Sequence, residues 1–104
     1  MGDRELLEAA AKAAGYTLEE HFDANAMYWP WCHELENNWC PLTDDGDALR
    51  LAVRLLFEID MGRGCIAVRH SVGIKILEAF NHDPHAATRR AIVRAAAEIG
   101  RSMK

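Results

Sequence analysis

Two histidines and a carboxylate lie together in Asn81-His82-Asp83-Pro84-His85, residue types suited to acid–base work. Imidazoles titrate near neutral pH and helix-start N–H groups attract phosphate. The stretch therefore reads as an anion site, or as the His82, Asp83, His85 set of a small hydrolase. The favoured reading is a capped helix start with two surface histidines, because Asp followed by Pro is a routine opening for a helix. Cys32 and His33, with Cys40 and His21, are the nearest approach to a metal set. Structural zinc sites usually show two close ligand pairs such as Cys-x-x-Cys; one adjacent pair and a stray thiol do not make that pattern. Asp44, Asp45 and Asp47 lack the alternating ligands and terminal Glu of the twelve-residue calcium loop, and helix-start stabilisation accounts for them. No metal and no cofactor is expected. The chain carries no Gly-x-Ser-x-Gly, P-loop, His-Glu-x-x-His or dinucleotide fingerprint, which favours a non-enzymatic reading.

Two other groups suit binding rather than catalysis. Tyr28, Trp29, Trp31 and Trp39 cluster in a stretch with prolines and asparagines. Tryptophan and tyrosine dominate interface anchors, yet they also close the ends of cores. Trp39 is expected to be such a lid; for Tyr28, Trp29 and Trp31 both readings stay open. Arg89, Arg90, Arg94 and Arg101 give the last helix a basic side, with Arg50 and Arg54 on the central one. That face can grip phosphate or an acidic partner, or it is simply the solvated side of a helix, with Glu98 pairing at helical spacing.

The totals bound these options. A chain of 104 residues, 50% hydrophobic, is expected to be one domain. Such a chain buries roughly 65% of its unfolded surface. The formal charge of −4 argues against bulk nucleic-acid binding. An odd number of cysteines and no charged-then-apolar leader point to a reduced, cytoplasmic protein. No apolar run approaches the ~20 residues that span a bilayer, so no membrane partner is expected.

The elements that must position these residues follow from pattern. Asp3 is placed to cap a helix over 4–14 that Gly15 stops, with Leu6, Leu7, Ala10, Ala13 and Ala14 on its buried face. Residues 16–21 and 26–29 read as short strands, the second broken by Pro30, and 30–42 as an ordered loop. Pro41 and Thr43 introduce a central helix over 44–56, with Thr43 as N-cap. Its apolar residues fill more than one stripe, so it is expected to be covered on most sides. Residues 57–61 alternate apolar and acidic, and with Gly62-Arg63-Gly64 and 65–70 they make a hairpin. A third strand runs over 72–80, with the Ser71–Gly73 region either a bulge or a separate turn. Asp83 and Pro84 open a last helix over 83–102. The predicted fold is α+β: a small antiparallel sheet of three or four strands packed with three helices. Homo-oligomers are expected through the alanine-rich terminal helices.

Three blocks of the chain resemble a known group. They are Asp3-Arg4-Glu5-Leu6-Leu7-Glu8-Ala9-Ala10-Ala11-Lys12-Ala13-Ala14-Gly15, the block from Trp39 to Val53 with its Pro-Leu-Thr-Asp-Asp-Gly-Asp-Ala-Leu-Arg core, and Asp83 through Gly100. Together they are similar to small proteins encoded in prophages and tailed phages of proteobacteria, of the phage "ABA sandwich" domain type. Cys40 departs from that pattern, which usually has Asn there. The resemblance implies an accessory protein in the host cytoplasm that binds a host protein and interferes with it, as an anti-defence inhibitor would. Tyr28, Trp29 and Trp31 would supply the anchors, and Arg89, Arg90, Arg94 and His85 the electrostatic complement. The alternative is sequestration of a small nucleotide signal, its base stacked on Trp29 and Trp31 and its phosphate held by Arg89, Arg90 or His85.

Overall fold

Glycines bracket the first helix, α1 (Asp3–Ala14), in the computed structural model, which describes residues 2–103. Gly15 ends it at φ 79°, the left-handed conformation glycine takes without steric cost. Gly2, not Asp3, holds the N-cap position; Asp3 lies in the first turn, where its carboxylate faces Arg90 of the last helix at 3.4 Å. Ala11 rather than Ala13 completes the buried face.

α2 (Asp45–Arg54) and α3 (Pro84–Ser102) are both capped by aspartate. Asp44 takes the place expected for Thr43, accepting from the Asp47 N–H at 2.8 Å, while Thr43 bonds back to the Cys40 carbonyl. Asp83 accepts from the Ala86 N–H at 3.0 Å, with Pro84 in the first turn as expected. α1 and α3 pack along alanine faces, Ala10 against a row that includes Ala91, Ala95 and Ala96. The approach is closest at Gly100, where a Cβ would collide with the Ala9 carbonyl oxygen. The small faces expected to meet a symmetry mate are thus used within the chain.

The fold is α+β with three helices, as predicted, but its strands form two antiparallel three-stranded sheets instead of one sheet of three or four. Sheet A holds β1 (Leu18–Phe22), β2 (Tyr28–Cys32) and β3 (Asn37–Asn38), with β2 central. Sheet B holds β4 (Glu58–Met61), β5 (Cys65–Arg69) and β6 (Lys75–Ala79), with β5 central. Between β5 and β6 the chain makes a separate turn, closed by Gly73 N–H to the His70 carbonyl at 3.0 Å, with Gly73 at φ 96°.

β2 runs straight through Pro30, where a break was expected. The ladder explains it. Trp39 N–H donates to the Pro30 carbonyl, so the missing proline N–H faces β3 at the end of that two-residue strand, and only one terminal bond is forgone. One buried cluster joins the helices to both sheets, including Cys32, Trp39, Leu51, Ile66, Val68 and Val93.

α2 departs most from expectation. Ala48, Leu51 and Ala52 are buried, but Leu49 and Val53 on its other side are 59% and 65% exposed. α3 covers β5 and β6, and α2 packs beside α3, which leaves that outer stripe largely exposed.

Candidate functional site

Strand alternation divides the aromatic trio. Tyr28, Pro30 and Cys32 point inward from β2; Trp29 and Trp31 point to the outer face of sheet A. Register places His21 of β1 opposite Trp29 and Glu19 opposite Trp31 on that same face. The His21 ring sits between the two indoles, edge-on to Trp29 at 4.5 Å and parallel to Trp31 at 6.3 Å. The Glu19 carboxylate lies 3.2 Å from His21 Nε2 and 3.2 Å from His33 Nε2, so one anion braces two imidazoles. The result is a fixed Trp29–His21–Trp31 ladder, half-buried and open to solvent on its far side. His21 belongs to this face as much as the tryptophans do; the two strands read at 16–21 and 26–29 were the sequence signal for it.

Tyr28 is instead part of the support. The Arg4 guanidinium lies over its ring at 5.0 Å and is paired with Glu20. Its hydroxyl is buried without a hydrogen-bond partner, and burial pushes the phenol's pKa up. Trp39 is the lid expected of it, 1% exposed, with Tyr16 packed edge-on at 5.6 Å.

The arginines serve the fold. Arg89 donates to the Leu42 carbonyl at 2.9 Å and to Asp45 at 2.6 Å. That partnership holds the Asp45 carboxyl below the usual carboxylate range, with His85, 3.5 Å away, adding to it. Arg90 faces Asp3, Arg94 pairs with Glu78 at 2.5 Å, and Arg101 pairs with Glu98 at 3.0 Å. These cations lie on α3, whereas Trp29 and Trp31 lie on β2, and no hydrogen bond, ion pair or ring contact joins the two groups among the described residues.

The remaining polar residues are also placed. Asp83 is occupied in capping α3, and His85 turns to Asp45 rather than to Asp83. Asn81 and His82 both adopt left-handed backbone, at φ 48° and 71°. Asp47 is buried at the start of α2, accepting from the Cys40 N–H and from Arg50. Cys32 is buried with its thiol pKa raised by that burial, while His33 points outward to Glu19. Among the described residues no three His, Cys, Asp or Glu side chains converge as a metal site would require.

A second concavity was not anticipated from the sequence. About 440 Å3 of space lies between the exposed side of α2, the start of α3 and β4. Ala48, Leu49, Ile59, Met61 and Ile92 make it apolar, with Asp45, His85 and Arg89 at one end. Its existence depends on α2 being bare on one side, the point at which the sequence suggested the opposite. No helix among the described residues is long and apolar enough to cross a membrane. No family model, curated protein or solved structure matches the chain.

Proposed function

We propose that the chain is a non-catalytic binding module that engages a host protein through the outer face of sheet A, in keeping with the phage accessory proteins its sequence resembles. The observation that carries this reading is the Trp29–His21–Trp31 ladder. Large aromatic side chains held rigid before binding lose little entropy on contact and supply much apolar area. Glu19 and the paired strands β1 and β2 hold these rings in place. On that face Glu19 pairs with His21 and His33, while Cys32 is buried on the other side of the sheet.

Nucleotide sequestration draws less support, because Arg89, Arg90 and Arg94 are paired with carboxylates of the fold and stand apart from the indoles. Native mass spectrometry of the protein purified gently from a bacterial host separates the two. A stoichiometric host polypeptide that is lost in Trp29→Ala and Trp31→Ala proteins of unchanged fold is the expected result. A retained mass of a few hundred daltons, or a polypeptide held equally well by both variants, overturns the proposal.

A further inference from the structure

Sheet B has two edges: β6 carries a lysine and a carbonyl bonded by Arg94, and β4 has neither. In an antiparallel pair, residues alternate between those that bond across the ladder and those whose N–H and C=O point away. The Gly62 N–H donates to the Cys65 carbonyl, which fixes the phase: Asp60 and Glu58 bond to β5, while Ile59 and Met61 turn their backbone groups outward. Among the described residues no backbone or side-chain hydrogen bond reaches those outward groups. β4 is exposed along its whole length and carries no proline and no lysine, the usual guards of a free edge.

The side chains beside this edge give it a code. Ile59 and Met61, opposite Val68 and Ile66 of the core, point toward the apolar cavity and remain 36% and 56% exposed. Glu58 and Asp60 lie on the opposite face, both mostly exposed, and share the single guanidinium of Arg69 at 3.6 and 3.5 Å. The edge therefore offers backbone bonds, an apolar strip on one side and two exposed carboxylates on the other, with the cations Arg69 and Lys75 one and two strands further in.

The geometry points to strand addition at β4 by an extended segment of a partner protein, its apolar residues alternating with lysine or arginine. The apolar set enters the cavity beside Leu49 and Met61, and the basic set faces Glu58 and Asp60. Charge chooses this occupant over a second copy of the chain. Pairing β4 with itself so that Ile59 and Met61 exchange backbone bonds sets Asp60 against Asp60, or Glu58 against Asp60, at the closest cross-strand spacing. A basic partner strand removes that conflict. This surface is separate from the tryptophan face, and the two stand or fall independently.

The probe is a fluorescein-labelled octapeptide of alternating valine and lysine, titrated by fluorescence anisotropy, with hydrogen exchange read by NMR. Saturable binding is expected, with new protection at the Ile59 and Met61 amides. A valine–glutamate peptide should bind at least about tenfold more weakly. Met61→Pro removes an outward N–H without touching the bonds to β5 and should weaken the lysine peptide by a similar factor. Asp60→Lys, at an exposed position, should reverse the preference between the two peptides, with an unchanged urea midpoint as the check on folding. Trp29→Ala should change nothing. No binding, equal binding of both peptides, or binding indifferent to Met61→Pro and Asp60→Lys overturns the proposal. So does protection of Ile59 and Met61 that rises with protein concentration alone, which would assign the edge to a second copy.

Discussion

Sheet A presents a face and sheet B presents an edge. On sheet A, Trp29 and Trp31 stand outward with His21 between them, and recognition there would be through side chains. On sheet B, the β6 edge is guarded at Leu77, whose carbonyl accepts from Arg94 at 3.3 Å, and by the charge of Lys75 within the strand. The β4 edge has neither, so its backbone is what it offers. Two sheets of the same size and pairing thus carry two different kinds of surface. The difference arises in the helix layer: α3 packs on β5 and β6, meets β4 at Thr88 and Met61, and leaves the outer stripe of α2 exposed.

The comparison breaks most completely if that layer is pushed apart. Gly100→Ala places a methyl group against the Ala9 carbonyl and should cost about 3 kcal/mol in chemical denaturation, the range of overpacked cores. Both surfaces should be lost together. Arg94→Ala acts on one edge only. It frees the Leu77 carbonyl and leaves Glu78 without its cation, for a loss of about 1 kcal/mol given the partial exposure of the pair. That variant leaves the β6 edge without a side-chain hydrogen bond, and the lost stability is read by chemical denaturation.

Smaller changes sharpen the contrast. Leu56 is held at φ 58° and is 83% exposed, just before β4. Leu56→Gly should stabilise by about 0.5 kcal/mol, since relief of the left-handed penalty slightly exceeds the entropy glycine adds to the unfolded chain. The smallest effect concerns acid. Asp45 has its pKa lowered below 3.8 by Arg89, so its contribution is present above that value and disappears as pH falls through the lower folded pKa. Asp45→Asn should flatten the decline of stability below about pH 4, measured by denaturation across that window.

The helices were the legible part of the chain. Asp83-Pro84 and Gly15 state their boundaries outright, because caps and stops act locally. Sheet A was half legible: residues 16–21 and 26–29 read as strands, but Pro30 hid the continuation of the second one to Cys32, since a proline's tolerance depends on where its partner strand ends. The number of sheets was not legible, because strand partners are chosen by tertiary packing. The arginines read as a binding face because their spacing is local, whereas Asp3, Asp45 and Glu78, which neutralise them, come from distant parts of the chain. The bare side of α2 was hidden for the opposite reason. Leu49 and Val53 look like core residues in any local window, and only the absence of a neighbour leaves them outside.

If Trp29 and Trp31 are held ready for a partner on the outer face of sheet A while Trp39 is core, the three must differ in what they contribute to stability. Urea denaturation of the three alanine variants tests it directly. Trp39→Ala should cost about 4 kcal/mol, as a fully buried aromatic does. Trp29→Ala and Trp31→Ala should each cost no more than about 1 kcal/mol, the loss of one ring contact with His21 on an open face. A loss at Trp29 or Trp31 as large as that at Trp39 would place those indoles in the core and remove the binding face.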